Sequence, residues 1–253
     1  MLNNPTDFVA SLAKGLRVIE AFNAGSPRLS ITDVARDSGL DRATARRCLL
    51  TLHKVGYADY DGKYFSLAPR ALRLGLSALG SMPLPQIVQP WLDQLSEVIE
   101  QSCSVSILEG NEIVYIARAA QRRVISIGLM PGSRLPVHCT SMGRALLAAM
   151  PENQARSILE NLDLSPRTPN SLADIDSLMV EIARVREQGF ALVNQEVELG
   201  LISISVPILN GRGDTVAALN TGFAAIAVGV EDAVRDYLPK LQEVQTRLKR
   251  VIN

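Results

Sequence analysis

The chain has 253 residues, 26 Lys/Arg against 26 Asp/Glu, 47% hydrophobic and 21% charged side chains. That is enough for one large or two ordinary globular domains and excludes a disordered chain. The net charge of zero implies no partner, but its distribution does. Residues 1–75 hold eleven Lys/Arg against seven Asp/Glu, and the remainder fifteen against nineteen, so a basic head precedes an acidic body. Cys48, Cys103 and Cys139 are odd in number and lack metal-ligand spacing, as free thiols in a reducing compartment do. The opening MLNNPTDFVA lacks a basic start followed by an apolar run, and no stretch of about 18 apolar residues occurs. A cytoplasmic location is expected.

In chain order, SLAKGLRVIEAF places Leu12, Leu16, Ile19 and Phe22 at helical spacing. A short second helix follows in SPRLSITDVARDSGL, with Ser30 as its cap, Asp33 at the third helical position and Gly39 at its end. Asp41 caps a third helix, RATARRCLLTLHK. Helix, short Gly turn and helix form the helix-turn-helix pattern. At about 100° per residue, Ala45, Cys48, Leu49 and Leu52 share the core stripe. Ala43 and Arg47 then point directly away, Thr44 and Arg46 flank that face, and Arg42 lies nearer the core edge. Arg reads guanine through two hydrogen bonds, and small methyl-bearing side chains touch thymine. In GYADYDGKYFSL, Asp61-Gly62 predicts a two-residue hairpin turn, hence a wing with Lys63 and Tyr64 at its tip facing phosphate or the minor groove. Arg42, Ala43, Thr44, Arg46, Arg47, Lys63 and Tyr64 are the candidate DNA contacts. A solvated basic face is the plainer alternative for the arginines alone.

Leu72, Leu74, Leu76 and Leu79 predict an apolar connector helix, broken by Pro83 and Pro85 and resumed from Gln86 to Gln101. Its apolar residues call for burial against a second subunit or the body. The body alternates. CSVSIL, IVYIARAA, VISIGLM, FALVNQ, LISISVPIL and DTVAALNTGF read as strands. SMGRALLAAM (capped by Ser141), PENQARSILENL and LADIDSLMVEIARVREQG read as helices. A terminal helix carries Leu238, Leu241, Val244, Leu248 and Val251. This predicts an α+β domain, an antiparallel sheet flanked by helices.

Four segments, SLAKGLRVIEAF, SITDVARDSGLDRATARRCLLTL, LPVHCTSMGRALLA and NQEVELGLISISVPILNGRGDTVAALNTG, resemble the isocitrate-lyase-regulator (IclR) family of bacterial transcription factors, in order and across nearly the whole chain. ATARRCLLTL and RLPVHCTSMGRALLA are most similar to its regulators of aromatic-acid degradation through the β-ketoadipate pathway. The resemblance implies a winged helix-turn-helix over 8–70, a linker helix over 71–84 and a GAF-like effector-binding domain over 85–253. It implies a homodimer or homotetramer on partly palindromic operator DNA, responding to a small-molecule carboxylate, an aromatic acid or ring-cleavage product. The family's effector pocket maps to Cys139, Thr140, Ser141 and Met142, to Asn194 and Glu196, and to Ser203, Asn220 and Gly222. The sequence departs from the family where NTG replaces SIS and where Asn194 stands in place of Asp.

The residues themselves lead to the same region. Pairing Leu209 with Asp214 across NGRG puts Ser203 opposite Asn220 on one sheet face. The N-terminus of the SMGRALLA helix, with free N–H groups at Met142 and Gly143 and the hydroxyls of Thr140 and Ser141, suits a carboxylate. Arg134 adds charge. A sensor of a small aliphatic acid is the nearest alternative. A thiol enzyme using Cys139 beside His138 is a more remote one, because adjacent residues on an extended strand point to opposite faces. A third, constitutive architectural DNA binding, requires no pocket. Neither a metal cluster nor a phosphate-binding loop is present, so no cofactor, no metal and no catalysis are expected.

Overall fold

The computed structural model describes residues 8–23, 25–121 and 129–252. It divides into two compact units, one ending at Ser81 and one beginning at Met82. The expected boundary lay three residues later.

The first unit contains α1 (Ala10–Glu20), α2 (Ile31–Ser38), α3 (Arg42–Lys54), the hairpin β1 (Ala58–Tyr60) and β2 (Phe65–Leu67), and α4 (Leu72–Ser81). Helix α2 starts on a full capping box. Ser30 accepts from the Asp33 N–H, and the Asp33 carboxylate accepts from the Ser30 N–H. Gly39 ends it at φ +64, the left-handed conformation that glycine adopts at least cost. Asp41 accepts from the Thr44 N–H and starts α3. The core is Val18, Leu29, Val34, Ala45, Leu49, Ala58 and Phe65. On α1 the buried residue is Val18; of the apolar stripe, Phe22 packs against the core and Ile19 is half-buried, whereas Leu12 and Leu16 face outward.

The second unit begins with α5 (Pro83–Ile99). The expected break is present, since α4 ends at Ser81, but the helix resumes at Pro83 and not at Gln86, so Pro83 and Pro85 do not lie between helices. They open one, since the first turn has no acceptor for the N–H groups they lack. Strands β3 (Cys103–Glu109), β4 (Glu112–Ala119), β5 (Arg134–Pro136), β6 (Ala191–Asn194), β7 (Leu201–Leu209) and β8 (Thr215–Ala224) form an antiparallel sheet in the order β5-β4-β3-β8-β7-β6. β5 was not anticipated. Most of the expected strand VISIGLM lies outside the described residues.

One sheet face carries Cys103, Val105, Ile204, Val206 and Leu219 and packs with α5 and with α10 (Leu238–Leu248). The other faces α6 (Ser141–Ala148), backed by α7 (Glu152–Glu160) and α8 (Ile175–Gln188). Each fully buried Leu, Ile or Val contributes roughly 1.5–3 kcal/mol. The terminal stripe holds through Leu238, Leu241, Val244 and Leu248. The helix then stops, so Val251 is exposed and Ile252 is buried. A short helix α9 (Val230–Asp232) and a π-helical turn (Ala233–Tyr237) precede α10.

Candidate functional site

The head presents its basic residues on α3 and the wing. Arg42, Ala43, Arg46 and Arg47 are exposed along the start of α3. Thr44 is 6% exposed, so it does not flank the open face. Its N–H is bound by the Asp41 cap, and its hydroxyl accepts from Arg47 Nη2 at 3.2 Å. The wing turn spans four residues, not two, because Tyr60 pairs with Phe65. Asp61 accepts from the N–H groups of Lys63 and Tyr64, at 2.9 and 2.7 Å, and Gly62 takes φ +100. Those bonds hold the Asp61 carboxyl down at about 2. Lys63 is exposed and lies over the Tyr64 ring, as does Arg28, which also pairs with Asp61. Arg28 was not anticipated, because it reaches the wing from a loop 33 residues before Asp61.

In the second unit a cavity of about 240 Å³ opens between the sheet and the N-terminus of α6. Thr140, Ser141 and Met142 line one side. Ser104, Tyr115, Arg118, Ser203, Asn220 and Gly222 line the sheet side, and Leu129, Leu135, Leu201 and Val228 add apolar walls. Six of the ten anticipated effector residues therefore converge: Thr140, Ser141, Met142, Ser203, Asn220 and Gly222.

Their pairing differs from the count made on the sequence. Leu209 pairs with Thr215, and a bulge lies between Ile208 and Leu209, so Ser203 faces Gly222 while Asn220 faces Ser205. The error is two residues. An even slip keeps every side chain on its face, whereas an odd one reverses them. Ser203 and Asn220 thus remain diagonal neighbours on the cavity side.

The other four anticipated residues do not line the cavity. Arg134 is exposed on β5 and is held by Glu109 and Glu112 at 2.6 and 2.7 Å. Asn194 is exposed and accepts from Gln195 Nε2. Cys139 is buried. Glu196 binds Arg144 through both oxygens, at 2.7 and 2.5 Å, with side chains 9% and 2% exposed respectively. Arg144 also donates to the His138 carbonyl, and Glu196 accepts from the Leu172 N–H. The pair ties α6 to the loop after β6.

The cap of α6 is Thr140, not Ser141. Thr140 Oγ1 accepts from the Gly143 N–H at 3.2 Å, which removes one donor expected for a ligand. Gly143 has no alternative here, because a Cβ would stand 2.0 Å from the Val137 carbonyl oxygen. Ser141 is the first helical residue. Its hydroxyl is buried and has no hydrogen-bond partner among the described residues.

Tyr115 and Arg118 went unrecognised in the sequence. Strict alternation puts residues three apart on opposite faces. A bulge at Ile116 resets the phase, since Val105 pairs with Ala117 but Ser106 pairs with Tyr115. Both side chains therefore line the cavity. Arg118 Nη1 donates to Ser104 Oγ at 2.9 Å. Burial pushes the Tyr115 phenol up to about 12, so it stays protonated. Burial also raises the Cys139 thiol to about 11 and lowers His138, which leaves no thiolate for nucleophilic chemistry.

A basic helix-turn-helix with a wing, in one chain with an α+β domain that holds a polar cavity, defines a ligand-binding transcriptional regulator. Residues 11–62 match the IclR helix-turn-helix domain and residues 76–249 the bacterial transcriptional regulator IclR C-terminal domain. The chain belongs to the IclR family of DNA-binding transcriptional regulators, which are not enzymes. It is 44% identical to the Pca regulon regulatory protein of Pseudomonas putida, over 93% of this chain and 81% of that one. It is 36% identical to the p-hydroxybenzoate hydroxylase transcriptional activator of Acinetobacter baylyi, over 97% and 93%. An IclR homologue from Microbacterium hydrocarbonoxydans, solved with 4-hydroxybenzoate, superposes with a TM-score of 0.76 at 26% identity, over 95% of this chain and 98% of that one.

Proposed function

We propose that this chain regulates an operon for aromatic-acid catabolism and that a single-ring aromatic carboxylate is its effector. The observation that carries the reading is the cavity's mixed lining. A buried Ser141 hydroxyl without a partner lies with Ser203 and Asn220, and Leu129, Leu135 and Leu201 supply apolar walls. Buried polar groups favour a ligand that completes their hydrogen bonds, and the apolar walls favour a ring. The volume, about 240 Å³, falls below the roughly 300–1,000 Å³ of pockets for drug-sized ligands, so it suits one ring. The printed functions of the Pseudomonas and Acinetobacter relatives, and the ligand of the Microbacterium structure, support the same class.

The test is a thermal-shift screen of hydroxybenzoates, dihydroxybenzoates and open-chain ring-cleavage acids. A melting shift with a single-ring acid, followed by a change in operator binding, supports the reading. A response to open-chain acids alone replaces it with an aliphatic sensor. Arg42, Ala43, Arg46 and Arg47 are the proposed base-reading positions, with Lys63 and Tyr64 on the wing. Thr44 acts there only through its bonds to Asp41 and Arg47. The protein works as a homodimer or homotetramer on a partly palindromic operator. The outward-facing Leu12 and Leu16 of α1 and Leu72, Leu74 and Leu76 of α4 support this, as apolar surface that a second copy would cover. Light scattering and operator footprinting measure the stoichiometry and the half-site spacing.

A further inference from the structure

We infer that Arg118 anchors the effector's carboxylate and that this guanidinium, not the end of α6, makes the cavity select acids over neutral analogues. The inference rests on the effector reading above and assigns the group within that site that reads the charge.

Three observations carry it. The bulge at Ile116 interrupts the β3–β4 ladder, and its effect is to turn Arg118 onto the cavity face. Bulges of this kind re-aim side chains beside binding sites. Next, Arg118 donates to the neutral Ser104 hydroxyl, and no carboxylate lies within ion-pair distance of it among the described residues. Arg134 and Arg144, two further arginines of this region, are both paired, Arg134 with Glu109 and Glu112 and Arg144 with Glu196. A guanidinium has five N–H donors in a planar fork that matches a carboxylate, and a half-enclosed site strengthens that attraction over its value in water. Finally, Arg118, Ser104 and Asn220 are consecutive cross-strand partners on β4, β3 and β8. Two strand spacings, roughly 10 Å between backbones, leave room for one ring between a carboxylate on Arg118 and a ring hydroxyl at Asn220 or Ser203. The end of α6 is the weaker anion site, because Thr140 already takes the Gly143 N–H.

The experiment is a cycle between the protein's charge and the ligand's. Wild type, Arg118→Met and Arg118→Lys are titrated calorimetrically with 4-hydroxybenzoate and with methyl 4-hydroxybenzoate, after circular dichroism and melting confirm the fold. The expected result is a loss of acid affinity of roughly 10- to 150-fold in Arg118→Met, with ester affinity little changed. Arg118→Lys, which keeps the charge but not the fork, falls between. Wild-type acid affinity in Arg118→Met overturns the inference. So does an equal loss for acid and ester, which would mark Arg118 as a structural residue. If wild type ignores 4-hydroxybenzoate, the aromatic reading fails by itself, and the same acid-to-ester ratio with adipate and dimethyl adipate decides on Arg118.

Discussion

Arg47 is exposed and stands opposite the core stripe of α3, and its guanidinium donates to the Thr44 hydroxyl. Arg47→Ala is therefore expected to leave melting unchanged and to cost roughly 1–3 kcal/mol in specific operator binding, measured by anisotropy titration. In the cavity, Ser203→Ala and Asn220→Ala should each cost roughly 1–3 kcal/mol in effector binding. As diagonal neighbours they should fall short of additivity in the double variant, while operator affinity without effector stays put. Calorimetry on the three variants reads both quantities. These side chains were legible in the sequence because alternation fixes faces, and their face survived a pairing error of two residues. Arg118 was illegible for the same reason in reverse. One bulged residue, Ile116, breaks alternation, and nothing local in IVYIARAA marks it. Thr44 was misplaced because a helical wheel counts angle alone and omits the Asp41 cap that engages the first turn.

At the scale of elements, what could be read was what is local. The capping box of α2, the Gly39 stop, the Asp41 cap and the Gly189 end of α8 each depend on residues within four positions. The Arg144–Glu196 pair depends on residues 52 apart, and no periodicity joins them. That pair gives the element-level prediction. Arg144→Met leaves a buried carboxylate without its partner and should destabilise the fold by roughly 3–5 kcal/mol in urea unfolding. Adding Glu196→Gln removes the stranded charge and should recover part of that loss. Equal stability of Arg144→Met and wild type would mean that Glu196 is solvated in solution. The wing hairpin shows a further limit. Asp61-Gly62 announces a turn, but the bonds Asp61 makes to Lys63 and Tyr64 lengthen it to four residues.

Over the whole molecule, the excess of positive charge lies before residue 76 and the excess of negative charge after it. DNA affinity should then fall steeply with salt, as counterion release requires. Lys63→Ala should lower the slope of log affinity against log salt by about one unit and weaken specific and non-specific DNA alike. A loss confined to one operator base would assign Lys63 to sequence reading instead. The two-part organisation was legible from this charge step and from the change of periodicity along the chain. Which part of the α1 stripe meets the core was not legible, because a pattern marks an apolar face without saying what covers it: Phe22 packs inward, while Leu12 and Leu16 stay exposed.

The backbone contact at Gly143 bears on how such a protein changes its diet. A side chain there would collide with the Val137 carbonyl, and the cap, the ion pair and the first turn of α6 are fastened around that contact. At Gly143 the roof of the cavity is therefore closed to any side chain. The strands below can exchange Ser104, Ser203, Asn220 or Gly222 without touching a helix end, at the cost of a hydrogen bond or a few atoms of volume. A lineage acquiring a new inducer can write the change into the sheet, with Gly143 kept as inherited.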